Sequence, residues 1–160
     1  MRKDSRGFSL IELLIVVAII LIIAAIAIPN LLRSRIAANQ ASCVGSLRTL
    51  NTAEITYAST YNAGYSSTLA QLQPPAVGAQ PTSTAAGLID SVLASGSKSG
   101  YTFSYTPGPV VNNRIDTYGI NGNPITVGTT GTNYYFTDQS GVIRQNSTSQ
   151  AGSADSPLAG

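Results

Sequence analysis

The stretch "GFSLIELLIVVAIILIIAAIAIPN" constrains this chain more than any other. From Phe8 to Ile28, 21 residues are apolar apart from Ser9 and Glu12. About 20 apolar residues at roughly 1.5 Å each cross a hydrocarbon core of about 30 Å, so the run can span a bilayer as one helix. A lone carboxylate there is costly, on the order of 2.5–3.5 kcal/mol at the middle of a membrane helix and less near an end. Glu12 lies near the N-terminal end. An ionisable group in that setting points to function, and it needs a partner.

Once residues 1–28 are set aside, about 130 of the 160 remain, enough for one modest soluble unit. Arg2, Lys3 and Arg6 stand with Asp4 before Gly7 and account for the whole net charge of +2, so the rest of the chain is formally neutral. No nucleic-acid partner is expected from such a charge balance. The chain has no histidine, the commonest general base and metal ligand, and a single cysteine, Cys43. One cysteine allows neither an internal disulfide nor a cysteine-based zinc site, and its expected place is a helix face turned to a core. Asp90, Asp116 and Asp138 are scattered and form no calcium-loop spacing. The expectation is a protein that is not an enzyme and carries no cofactor or metal.

Three readings compete for the first thirty residues. A secretory signal has an apolar core of about 7–15 residues, and this one is longer and carries Glu12. A plain membrane anchor accounts for the length but not for the acid. The third reading rests on "RGFSLIELLIVVAII" followed by "AAIAIPN". This stretch resembles the N-terminus of type IV pilins and type II secretion pseudopilins: a short basic leader ending in glycine, then Phe, a small hydroxyl residue, Leu-Ile-Glu and an apolar helix.

The resemblance implies a role for each residue in turn. Gly7 would end the leader, with a prepilin peptidase cutting between Gly7 and Phe8. Phe8 would become the N-methylated N-terminus, and Arg2, Lys3 and Arg6 would hold the leader in the cytoplasm. Glu12 would pair with the α-ammonium of Phe8 in a neighbouring subunit and so set axial register, as one polar residue does in a coiled coil. Pairing with its own chain's amine and service to the assembly machinery remain open alternatives. Pro29 would kink or loosen the helix near residues 25–29.

Beyond Pro29 the helical pattern continues. Cys43, Leu47, Leu50, Tyr57 and Tyr61 mark one face, Arg48, Asn51 and Thr52 the opposite one, and Asn62 with Gly64 the stop. A helix from about Ser9 to Tyr61 would be roughly 80 Å long. Residues 63–99, rich in Gly, Pro, Ser and Thr, read as a connecting loop in which "TAAGLIDSVLASG" forms a short helix packing Leu88, Ile89, Val92 and Leu93. From residue 100 to 146 the pattern turns to strands. Tyr101, Phe103 and Tyr105 alternate, "RIDTYGIN" reads as a strand, and "NYYFTDQSGVIRQN" reads as a hairpin turning at Asp138-Gln139-Ser140-Gly141. Three or four antiparallel strands are expected, with residues 147–160 as a flexible tail.

The expected fold class is therefore α+β. A long N-terminal helical spine has its first half, residues 8–28, in the membrane and its amphipathic half at 29–62, and carries a small antiparallel head. The resemblance implies the major subunit of a pilus-like filament. Its partners would be copies of itself, the prepilin peptidase and N-methyltransferase, an inner-membrane assembly platform with its ATPase, and lipid before assembly. The precursor would sit in the inner membrane with its N-terminus in the cytoplasm, and the assembled form on the cell surface. A pseudopilin of protein export is the alternative of the same kind. A membrane-anchored surface-binding protein that never polymerises is the alternative of another.

Overall fold

The computed structural model describes residues 8–158. Arg2, Lys3, Arg6 and Gly7 lie outside the described residues. The described residues divide into two compact units, one up to Arg35 and one from Ile36 on, and one helix, α1 (Leu10–Tyr61), contributes to both.

In the first unit α1 is apolar on every side and its large side chains are exposed, from Phe8 through Leu32. Isoleucine and valine are indifferent helix formers in water. In hydrocarbon the helix is favoured for another reason, since it satisfies each backbone N–H and C=O within the segment. The helix is long and apolar enough to cross a membrane, and its most apolar stretch buries nothing inside the molecule. It runs unbroken through Pro29, where the expected loosening amounts to one missing backbone donor. Just beyond, the Ser34 hydroxyl donates to the Asn30 carbonyl at 3.0 Å.

In the second unit, the head, the last turns of α1 lay Cys43, Leu47, Leu50, Ala53 and Tyr57 into the core. Asn62 and Gly64 both take left-handed backbone angles, with φ of 56° and 76°, and end the helix where the sequence signal stood. Asn51 departs from expectation. The sequence pattern puts it on the polar face, yet it is buried, because Tyr118 and Thr137 reach from the sheet to bond its amide.

Among the described residues the main sheet has five antiparallel strands rather than three or four. In spatial order they are β1 (Ser97–Lys98), β2 (Tyr101–Pro107), β5 (Tyr118–Pro124), β6 (Tyr134–Asp138) and β7 (Arg144–Asn146). The two edge strands are two and three residues long, too short to show a period-two pattern in sequence. Tyr101, Phe103, Tyr118, Ile120 and Tyr135 put their side chains into the core with the α1 face. "RIDTYGIN" is not one strand. Its start, β4 (Arg114–Ile115), pairs with β3 (Val110–Val111) around Asn112 and Asn113, both at positive φ as a tight hairpin turn requires. The β6–β7 turn falls as expected, with the Gly141 amide donating to the Asp138 carbonyl at 2.9 Å.

The connecting region holds a 3-10 turn (Leu69–Leu72) and a short helix, α2 (Ser91–Ala94). Ile89 and Leu93 enter the core as expected, but Val92 is 54% exposed, because four residues of helix bury only one side.

The segment after Ser147, which composition reads as a flexible tail, packs onto the head through its described residues. It folds back along β7: the Leu158 amide donates to the Ile143 carbonyl at 2.7 Å, and the Asn121 side chain donates to the Ala151 carbonyl at 2.7 Å. Ala151 is buried. Small polar composition hides this, because the bonds go to partners distant in sequence and only Ala151 and Leu158 supply apolar packing.

Candidate functional site

Of the residues singled out by the motif, Phe8 and Glu12 lie at the N-terminal end of α1 and Pro29 lies well inside it. Phe8 is 76% exposed and precedes the helix. Glu12 is the third residue of α1, and its Oε2 accepts a 2.8 Å hydrogen bond from the Ser9 amide. The first amides of a helix have no partner within it, and the dipole there favours negative charge. Glu12 thus caps its own helix in the way the Ser-x-x-Glu spacing of a capping box allows. That spacing, Ser9-Leu-Ile-Glu12, is legible in the sequence itself. The carboxylate is exposed and keeps lone pairs for a further cation.

No group of three or more His, Cys, Asp or Glu side chains that could hold a metal occurs among the described residues. The scattered aspartates have local work. Asp90 caps α2 by accepting from the Leu93 amide and pairs with Lys98 at 2.9 Å. That lysine, then the Leu93 amide, holds the Asp90 carboxyl below its ordinary pKa. Asp116 pairs with Arg114, and Asp138 accepts from the Ser140 amide in its turn. Cys43 is fully buried, and burial pushes its thiol far up, so it stays a thiol and packs as an apolar group.

Two polar groups sit on the core face of α1, Asn51, which the sequence pattern puts on the polar face, and Glu54. Asn51 donates to Thr137 Oγ1 at 2.8 Å and accepts from the Tyr118 hydroxyl at 3.0 Å. Glu54 is 0% exposed and faces Ser66. With Leu47, Leu50 and Tyr57 it falls at steps of three, four and three, so helical spacing places it on the buried face, where its charge argued against it.

A family model described as the prokaryotic N-terminal methylation motif matches residues 2–28. The N-terminal segment of the chain thus carries that methylation motif and is similar to the N-termini of type IV pilins. It is 52% identical over 50 residues to the type IV major pilin protein PilA of Myxococcus xanthus, covering 31% of this chain and 23% of that one. It is 62% identical over 37 residues to the type IV wide pilus major component PilA4 of Thermus thermophilus, covering 23% of this chain and 28% of that one. The aligned part spans about a quarter of the length of each of these pilins. No solved structure matches the chain. The pilin likeness lies in the apolar helix and its approach, while the head has an α+β architecture with an antiparallel sheet.

Proposed function

We propose that this chain is the major structural subunit of a bacterial type IV pilus-like filament. The observation that carries the reading is Glu12 standing at the start of a helix whose first, apolar stretch finds no partner inside the molecule. Such a surface is stable in lipid or against other copies of the same helix. Packing between apolar helices in lipid sets axial stagger weakly, since leaving lipid yields little. A carboxylate at one end and an ammonium newly exposed on Phe8 supply the missing specificity, because each charge is costly in hydrocarbon and relieved only at one height.

In this reading a prepilin peptidase cuts after Gly7 and the new Phe8 amine is methylated. The subunit waits in the inner membrane until the assembly platform and its ATPase draw it into the filament. The capping bond from Ser9 holds the Glu12 carboxylate at the helix start, beside the incoming cation. Pro29 leaves one backbone carbonyl without its helical donor, a place where the helix can loosen during packing.

The test is Glu12→Val, with surface filaments counted and membrane-held mature subunit measured in the same cells. Cleaved subunit should accumulate in the membrane while filaments vanish. Normal filaments from the valine variant would overturn the register role. A mature N-terminus that begins at Ile28 instead of Phe8 would overturn the pilin reading itself.

A further inference from the structure

The main sheet has two edges, and the molecule closes them in different ways. β1 is two residues long, and its Lys98 is tied to Asp90 at 2.9 Å. Short strands and charged side chains are ordinary means of keeping an edge from pairing with another chain. β7 is closed by a segment of the chain's own. Arg144 stands opposite Pro157 in an antiparallel bridge. The Gln145 amide donates to the Ser156 carbonyl at 3.1 Å and the Leu158 amide to the Ile143 carbonyl at 2.7 Å. That register puts Asn146 opposite Asp155 and Ile143 opposite Leu158.

Each pair fits. The Asn146 side-chain amide donates to Asp155 Oδ1 at 2.9 Å, and Arg144 Nη1 donates to the Asp155 carbonyl at 3.0 Å. Ile143 belongs to the core, and Leu158 packs against it. Pro157 falls where the ladder asks no amide of it, so its missing N–H faces outward and offers no donor to a further strand. Ala151 is buried, which selects a small side chain there. Residues 147–150, which lead to the segment, are exposed, so the segment is held by its own contacts and not by its linker. β7 thus recognises an extended strand with a small residue, an acid and a leucine at fixed places, as sheet edges that take up a peptide strand do.

We propose that the β7 edge is a strand-docking site held shut by the chain's own residues 151–158, and that the strand it admits when open is the same segment of a second copy. A second copy's β7 fits less well. Two β7 strands paired so that each Gln145 amide meets the other's Ile143 carbonyl set Arg144 against Arg144, and like charges directly opposite destabilise. A second copy's 151–158 repeats every contact of the chain's own, which is what makes exchange of identical elements between protomers cheap. The attached segment wins while it is docked, since a short linker keeps its local concentration high. The site concerns the head alone and stands apart from the filament reading, which rests on Glu12 and the apolar helix.

The chain lacking residues 151–160 is the open form, and full-length Asp155→Ala/Leu158→Pro replaces it should that deletion not fold. In detergent micelles the Gln145 amide of the open form should exchange about tenfold faster than in the intact chain, with the β5 and β6 amides unchanged. A synthetic peptide of residues 151–158, added at about 1 mM, should restore most of that protection. The same peptide with Asp155→Lys and Leu158→Ser should not. The intact chain should bind the unaltered peptide at least about tenfold more weakly than the open form, because its own segment already fills the edge. A folded open form whose Gln145 amide exchanges no faster, or is not protected again by the peptide, would overturn the proposal. Equal binding of the peptide by intact and open chains would overturn it as well.

Discussion

Gly122 leaves room for Cys43: a Cβ placed on Gly122 would stand 2.7 Å from the Cys43 sulfur. The glycine is in the middle of β5 and the cysteine on the buried face of α1, so a missing side chain on one element admits the side chain of the other. Such a gap is how a helix packs tightly on a sheet at a given point. Gly122→Ala should therefore destabilise the head by about 1–3 kcal/mol through overpacking. Cys43→Ala in the same chain should recover part of that loss. Denaturant melts of the four-member cycle measure it, and independent effects of the two changes would mean the contact is relieved some other way.

Asn51 makes a second link between the same elements, and it is polar. Asn51→Ala strands the Tyr118 hydroxyl and the Thr137 hydroxyl, both now without their helix partner. A buried group left unsatisfied costs about 1–3 kcal/mol. Replacing Thr137 by valine as well should cost less than the two single losses added together, because the donor Asn51 and its acceptor Thr137 are then removed as a pair. Thermal melts of both variants decide the point.

Leu50 is the plainest test of the helix face. It is fully buried among the aromatic side chains of the sheet, and Leu50→Ala should cost about 2–5 kcal/mol. A melt with no loss would mean that the face chosen for the core is wrong.

The folded-back tail makes a different prediction. Removing residues 151–160 takes away Ala151 and the Leu158 amide bond to Ile143 and uncovers the edge at β7. Loss of a packed leucine and its neighbours is worth about 1.5–3 kcal/mol. A truncated chain with unchanged stability and unchanged protease resistance at β7 would show that the segment adds nothing to the fold.

Processing is checked at the other end of the chain. A bulky residue in place of Gly7 should block cutting and leave full-length precursor in the inner membrane. Mass spectrometry of that fraction reads the outcome directly, and mature Phe8 from such a variant would remove Gly7 from the proposed protease site.

The sequence by itself determined the parts that depend on local repetition. Twenty-one nearly unbroken apolar positions specify a helix long enough for a membrane, because backbone groups in hydrocarbon have no other partner. The 3.6-residue spacing of Cys43, Leu47, Leu50 and Tyr57 specified the buried face, and Asn62 with Gly64 specified its end, since each is a property of neighbours along one chain. The motif from Arg6 to Asn30 was equally legible, being continuous. What the tertiary structure decided depends on residues far apart in sequence. The helical pattern puts Asn51 on the polar face, and only Thr137 and Tyr118 from the sheet, with Ser66 from the connecting segment for Glu54, satisfy these two groups where they are buried. The edge strands β1 and β7 and the docked tail escaped for the same reason. They are held by backbone hydrogen bonds to partners that exist only once β2, β6 and Ile143 are in place, and a backbone bond leaves no mark on side-chain pattern.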